Sequence, residues 1–299
     1  MSMERLARLA LCLLAAIVLS CGKDVLPEEP QPEEQKEQRR EWPVVTEELH
    51  ASRGGIDIYG ELLRPEGRAG RLPTIIFSHG LRGHYDDCLP YAEICARKGF
   101  ACYCFDFIGG ALANHSGGSY EEMSILTEIE DLEAVVEMIL SKPFTDKEHL
   151  FLAGGSQGGL VTAMYAARYP AVPRGLVLLF PAFNIPSLAE SLLGVMYGGD
   201  LSAVPEKVSV AGFSVYKKYV EDAVGWDPYK TIGNYKGKVM ILHGTKDLLV
   251  PLSYSERAAN VYPSATLIKL EGQGHGFDED GTVFAAEQAL EKLLFPLSE

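Results

Sequence analysis

Basic residues are scarce in this chain: 27 Lys and Arg stand against 41 Asp and Glu in 299 residues, a formal net charge of -14. Phosphate backbones are held by clustered cations. No such cluster appears beyond the amino terminus, so nucleic acid is excluded as a ligand and partners are expected to be neutral or cationic small molecules. Long hydrophobic runs are also missing. The one candidate, Leu9 to Leu19, is shorter than the roughly 20 residues a spanning helix needs. Cysteine occurs 6 times but not at metal-ligand spacing, so no cysteine-held metal is expected. Internal repeats are absent, which excludes solenoids and propellers. A chain with 47% hydrophobic and 23% charged residues can bury one sizeable α/β domain, or two small ones.

Arg5 and Arg8 precede the short apolar run, the pattern of a secretory signal. It ends in Val18-Leu19-Ser20-Cys21-Gly22, which resembles a bacterial lipobox, with Leu19 where Ala, Ser or Thr is more usual. Residues 1–20 are read as a lipoprotein signal peptide and Cys21 as the acylated residue, which anchors an exported protein to the bacterial envelope without spanning it. An ordinary cleaved signal with a fortuitous cysteine is the other reading. Pro27, Pro30, Pro32 and Pro43 stand among many Glu and Gln, a composition that cannot offset its own ordering entropy. Residues 21–43 are therefore expected to be a disordered tether, and residues 44–299 the folded domain. Cys102 and Cys104 alternate along a strand-like run and share a face; with Cys88 and Cys95 they read as small buried hydrophobes. A disulfide among them stays open.

From Val44 onward, strand-like and amphipathic runs alternate, which predicts a mostly parallel sheet with helices on both faces. Strands are expected at Thr46–Ser52, Ile56–Leu63, Thr74–Ser78, Ala101–Phe105, Leu150–Ala153, Gly175–Phe180, Val239–Leu242 and Ala265–Leu270. Helices are expected at Leu89–Lys98, Ser124–Ser141, Leu160–Tyr169 and Val283–Leu294. The alternation breaks down at about residues 182–225, where a small cap insertion is expected above the carboxyl ends of the strands.

Gly154-Gly155-Ser156-Gln157-Gly158 lies between a strand and a helix and fits the nucleophile-elbow pattern, in which glycines flank a serine two residues away on each side. Such a turn forces unusual backbone angles and close chain approach, and the helix that follows points its positive end at the serine. A serine hydroxyl is a weak nucleophile and needs a base in reach. Of 7 histidines, His275 stands on a glycine-rich loop just after the last strand. His243 reads as structural, His50 and His149 as surface residues, and His84 and His115 as candidates of second rank. Asp247, beyond the penultimate strand, is the expected orienting carboxylate, and the order Ser156, Asp247, His275 is the one this arrangement requires. Asp222 and Asp227 are its substitutes. Leu81 and Gln157 supply the expected backbone N–H pair of an oxyanion hole, and His79 reads as a buried shaping residue.

Together Ser78-His79-Gly80, Gly154 to Gly159, His243-Gly244 with Asp247, and Gly274-His275-Gly276-Phe277 resemble the bacterial cinnamoyl and feruloyl esterases of the α/β-hydrolase superfamily. The resemblance spans most of residues 70–295. It implies an α/β-hydrolase fold and a serine carboxylic ester hydrolase acting through an acyl-enzyme, on a small-molecule ester, without a cofactor. Prolyl-cleaving exopeptidases and acyltransferases share the same motifs and remain alternatives. Ile108-Gly109-Gly110-Ala111 and the stretch through His115 depart from the Gly-His-Gly loop of that group, a loop that in it borders the acyl pocket. Phe183, Tyr197, Phe213, Tyr216 and Tyr219 fall in or beside the expected cap; they read either as an aromatic acyl pocket or as the cap's own core.

Overall fold

A computed structural model describes residues 40–111, 114–210 and 213–298. The signal, Cys21 and most of the expected tether lie outside the described residues. Strands β1 (Val44–Arg53) and β2 (Ile56–Pro65) form an antiparallel hairpin that opens an 8-stranded sheet. Next come β3 (Leu72–Ser78), helix α1 (Leu89–Arg97), β4 (Ala101–Phe105), α2 (Ile125–Ser141), β5 (Thr145–Gly155), α3 (Gln157–Arg168) and β6 (Gly175–Leu179). The segment up to residue 237 carries α4 (Ile185–Tyr197), a small hairpin of β7 (Lys207–Val210) and β8 (Phe213–Tyr216), and α5 (Lys217–Ala223). The chain closes with β9 (Lys238–Gly244), α6 (Leu252–Val261), β10 (Ala265–Leu270) and α7 (Glu279–Ala289).

The sheet order is β1-β2-β4-β3-β5-β6-β9-β10, antiparallel through β1, β2 and β4 and parallel from β4 onward. The parallel strands are apolar on both sides because helices cover both faces. Ile76, Tyr103 and Leu152 pack on the side of α2 and α3; Phe77, Cys102, Cys104 and Phe151 pack on the side of α1 and α7. Because β3, β5, β6, β9 and β10 run parallel, the turns that follow Ser78 and carry Ser156, Asp247 and His275 leave from the same edge of the sheet.

Several boundaries differ from expectation, among them β5, which begins at Thr145 rather than Leu150, and α7, which spans Glu279–Ala289 rather than Val283–Leu294. Helix α3 starts at Gln157 rather than Leu160; Gly158 and Gly159 have poor helix propensity, but the turn at Ser156 and the packing beneath it override that. The ordered domain reaches back before Val44. The Trp42 N–H donates to the Arg97 carbonyl at 2.8 Å, Glu66 N–H to that of Pro43 at 2.7 Å, and Lys98 pairs with Glu41 at 3.1 Å.

Candidate active site

At the tip of β5, Ser156 holds φ 53° and ψ -120°, a strained region for a residue with a side chain. The turn is pinned from β6: Ser156 N–H donates to the Leu179 carbonyl at 2.9 Å, and its own carbonyl accepts from Ala182 N–H at 2.8 Å. Glycine is obligatory on either side for want of space. A Cβ at 154 would lie 2.3 Å from the Gly158 carbonyl oxygen, and one at 158 would lie 2.2 Å from that of Ser78. The elbow therefore seats directly on the end of β3, and a Cβ at Gly80 would stand 3.2 Å from that of Ser156. Leu81 and Gln157 both line the cleft that holds Ser156.

The loops after β9 and β10 bring the other two residues in. His275 Nε2 lies 3.0 Å from Ser156 Oγ, and Nδ1 lies 2.8 Å from Asp247 Oδ2. A carboxylate only accepts, so Nδ1 carries the hydrogen and Nε2 is left to accept from the serine hydroxyl. Asp247 Oδ1 accepts from the N–H groups of Leu249 at 2.9 Å and Val250 at 2.8 Å. Phe180 packs edge-on to the His275 ring at 4.8 Å. The three residues named from the sequence thus meet in one hydrogen-bonded chain, an arrangement able to draw a proton from Ser156 as its oxygen attacks a carbonyl. Asp222, one substitute for Asp247, instead accepts from Ser124 Oγ and pairs with Lys218, and Asp227 pairs with Arg257.

The other histidines fall away from proton transfer. His79 is buried, with Nδ1 2.7 Å from the Gly80 carbonyl and Nε2 accepting from Phe107 N–H at 3.2 Å. Burial holds its pKa below the ordinary histidine value. His84 and His115 flank the buried Asp106, which accepts from His115 N–H at 2.8 Å. The departing loop does not border the cleft among its described residues: Gly110 abuts His79, and Gly117 N–H bonds to β2 at the Asp57 carbonyl.

A buried network behind the elbow was not expected. Gln157 Nε2 donates to Glu128 Oε2 at 2.8 Å, and Tyr219 of α5 donates its hydroxyl to Gln157 Oε1 at 2.6 Å. Burial pushes the Glu128 carboxyl well above its ordinary range. The sequence signal for it is an acid on the apolar stripe of α2, in step with Ile125 and Leu132.

Ser156 opens into a cleft of about 950 Å³ between the sheet edge and the α4–α5 segment. Its walls there are mainly aliphatic, with Leu188, Leu192, Val195, Met196, Val220 and Leu249. Of the four cap rings whose side chains are described, Tyr219 alone lines it. Phe183 is buried against Tyr229, Tyr197 joins the small core under α4, and Tyr216 meets Tyr120; the Phe213 side chain lies outside the described residues. The described rings thus go mostly to the main core, and only Tyr197 among them joins the cap's own small core. Free Cys88, Cys95, Cys102 and Cys104 are all buried, and no grouping of metal-ligating side chains occurs among the described residues.

Residues 71–209 match the family described as "Serine aminopeptidase, S33". Human acylamino-acid-releasing enzyme is 24% identical over 227 residues, 69% of this chain and 28% of that enzyme. Human monoacylglycerol lipase ABHD6 is 31% identical over 116 residues, 39% of this chain and 32% of the lipase. The chain thus spans about a third or less of the length of these relatives. Among solved structures, Est1E from Butyrivibrio proteoclasticus with ferulic acid bound superposes with a TM-score of 0.75 at 24% identity, covering 84% of this chain and 99% of Est1E. With its parallel sheet, its strand-turn-helix elbow and these likenesses, the chain has the α/β-hydrolase fold.

Proposed function

We propose that the protein is a serine carboxylic ester hydrolase in which Ser156 is the nucleophile, His275 the general base and then acid, and Asp247 the group that orients the imidazole. The observation that carries this reading is the unbroken chain from Ser156 Oγ to His275 to Asp247, at 3.0 and 2.8 Å. Ser156 Oγ attacks the ester carbonyl as His275 Nε2 takes its proton, and the N–H groups of Leu81 and Gln157 hold the oxyanion. His275 returns the proton to the leaving alcohol. Water then cleaves the acyl-enzyme by the same path. These steps use the chain's own side chains and N–H groups.

The aliphatic walls of the cleft favour an apolar acyl group, because each buried side-chain-sized group contributes about 1.5–3 kcal/mol. Feruloyl-type esters are the finer proposal, supported by the likeness to Est1E and by Tyr219 at the wall. A second reading, an exopeptidase, has in its favour the serine aminopeptidase match and Asp87, an acid on the cleft wall that could meet a substrate amine. Feruloyl, butyryl and acetyl esters of one alcohol, assayed beside aminoacyl amides, separate these. The ester reading expects esters to be cleaved faster than amides and feruloyl to exceed acetyl. An acetyl preference removes the aryl proposal, and an amide preference removes the ester reading. We also infer that the protein is an exported lipoprotein of the bacterial envelope, held at Cys21, on the strength of its amino-terminal residues.

A further inference from the structure

His243 stands near the end of β9 with no exposed surface. Its Nε2 lies 2.9 Å from the Val250 carbonyl oxygen and 3.1 Å from Asp247 Oδ2. Both neighbours only accept, so Nε2 carries a hydrogen. On the other side of the ring, Nδ1 is 2.7 Å from Oγ of Ser255, a fully buried residue of α6. Asp247 is thereby met by four donors: the N–H groups of Leu249 and Val250 on Oδ1, and the rings of His275 and His243 on Oδ2.

We propose that His243, held by the Ser255 hydroxyl as the neutral Nε2–H tautomer, is a positioning residue that fixes Asp247 Oδ2 on the line to His275 Nδ1. The inference rests on the reading of Ser156, His275 and Asp247 as a catalytic triad. Its Nε2–H is shared between the carboxylate and the Val250 carbonyl, so one ring ties the acid to the loop that carries it. A neutral donor suits this place. A second imidazolium against Asp247 would compete for the charge that stabilises His275 once it is protonated. Burial holds His243 below the ordinary histidine pKa, against the opposing pull of Asp247. The other charged groups near it are His275 and, from β10 and α6, the Lys269–Glu256 pair at 2.6 Å; β6 brings the uncharged Leu178 to its face of the sheet.

The test takes His243→Leu, His243→Gln and Ser255→Ala through steady-state kinetics across pH, with ¹⁵N spectra of the wild-type imidazoles. His243→Leu should lower kcat about tenfold, the consequence of one lost hydrogen bond to a charged group, with KM unchanged. The acid limb of its kcat profile should move to higher pH, because a carboxylate with one donor fewer holds the His275 proton more tightly. His243→Gln, which returns an amide donor, should recover most of the rate, and Ser255→Ala should fall between. The wild-type spectrum should show His243 neutral with hydrogen on Nε2. An unchanged kcat in folded His243→Leu overturns the proposal, as does a wild-type His243 that is an imidazolium or carries its hydrogen on Nδ1. If His243→Leu does not fold, the wild-type spectrum and Ser255→Ala decide. Asp247→Asn keeps the two questions apart: an unchanged rate there defeats the triad itself, whereas a lost rate beside an unaffected His243→Leu defeats only the role of His243.

Discussion

At Ser156 a backbone in the left-handed region and a hydroxyl 3.0 Å from an imidazole coincide. The hydroxyl contributes little to packing, so Ser156→Ala should keep the fold and lose nearly all turnover. Circular dichroism and ester hydrolysis check this together; activity within about tenfold of wild type would remove Ser156 from its role. Asp247→Asn should cost somewhat less, since groups acting as one unit lose activity non-additively. Glu128 gives a prediction of another kind. Its folded pKa is raised by burial, so below the ordinary carboxylate value of about 4.3 both folded and unfolded chains hold the proton. As pH climbs above that value the unfolded chain releases it while the folded chain does not, and the group progressively withdraws stability until its folded pKa is reached. Glu128→Gln, which resembles the protonated acid, should flatten the fall in stability between pH 5 and pH 8 without lowering stability at pH 5. Urea unfolding at both pH values measures it. An unchanged pH dependence in the variant would show that Glu128 is already ionised in the folded state over this range. The three side chains that meet at Ser156 were legible because Ser156 and His275 stand among glycines at strand ends and Asp247 follows His243-Gly244 at another. Glu128 and the grip of His243 on Asp247 were not, because both depend on neighbours distant in sequence or on the course of a loop.

Elements built from continuous periodicity were the readable ones. The stripe of Ile125, Ile129, Leu132 and Val136 forecast α2, and the short apolar runs forecast the parallel strands. The cap was readable only as a break in that alternation. Its helices and hairpin are held by contacts to the main body, such as Tyr120 Oη donating to the Ser214 carbonyl at 2.8 Å and Tyr219 to Gln157, which no local pattern announces. Tyr219→Phe should therefore loosen α5 from the elbow. It leaves the Gln157 carbonyl oxygen buried without its donor, a loss of about 1–3 kcal/mol, and thermal unfolding would read it; an unchanged melting temperature would mean the cap is held elsewhere. The elbow itself tolerates less. Gly158→Ala would drive a methyl group within 2.2 Å of the Ser78 carbonyl oxygen and 2.3 Å of that of His79, backbone atoms that cannot turn aside. Destabilisation beyond the about 1–3 kcal/mol usual for overpacking is expected, with most of the protein lost from the soluble fraction. A soluble, active Gly158→Ala would mean that β3 and α3 can part more readily than their fit implies.

For the whole molecule, the first residues pose a question separate from catalysis. A lipid on Cys21 would carry an acidic enzyme, net charge -14, to a surface its own charge would not seek where that surface is anionic. Full-length protein expressed in a bacterial host should then partition into detergent, and Cys21→Ala should not. Where the chain can be cut without harm follows from the structure. A protein beginning at Arg40 keeps Trp42 N–H on the Arg97 carbonyl, Glu41 beside Lys98 and the Pro43 carbonyl under Glu66 N–H, and should be soluble and as active as the full chain. One beginning at Val44 loses all of these, two of them hydrogen bonds worth about 0.5–1.5 kcal/mol each. It should melt several degrees lower, with its kcat unchanged at temperatures where it is folded. Equal melting temperatures for the two would return the domain boundary to Val44. A loss of activity on cutting at Arg40 would show that the preceding residues take part in the site.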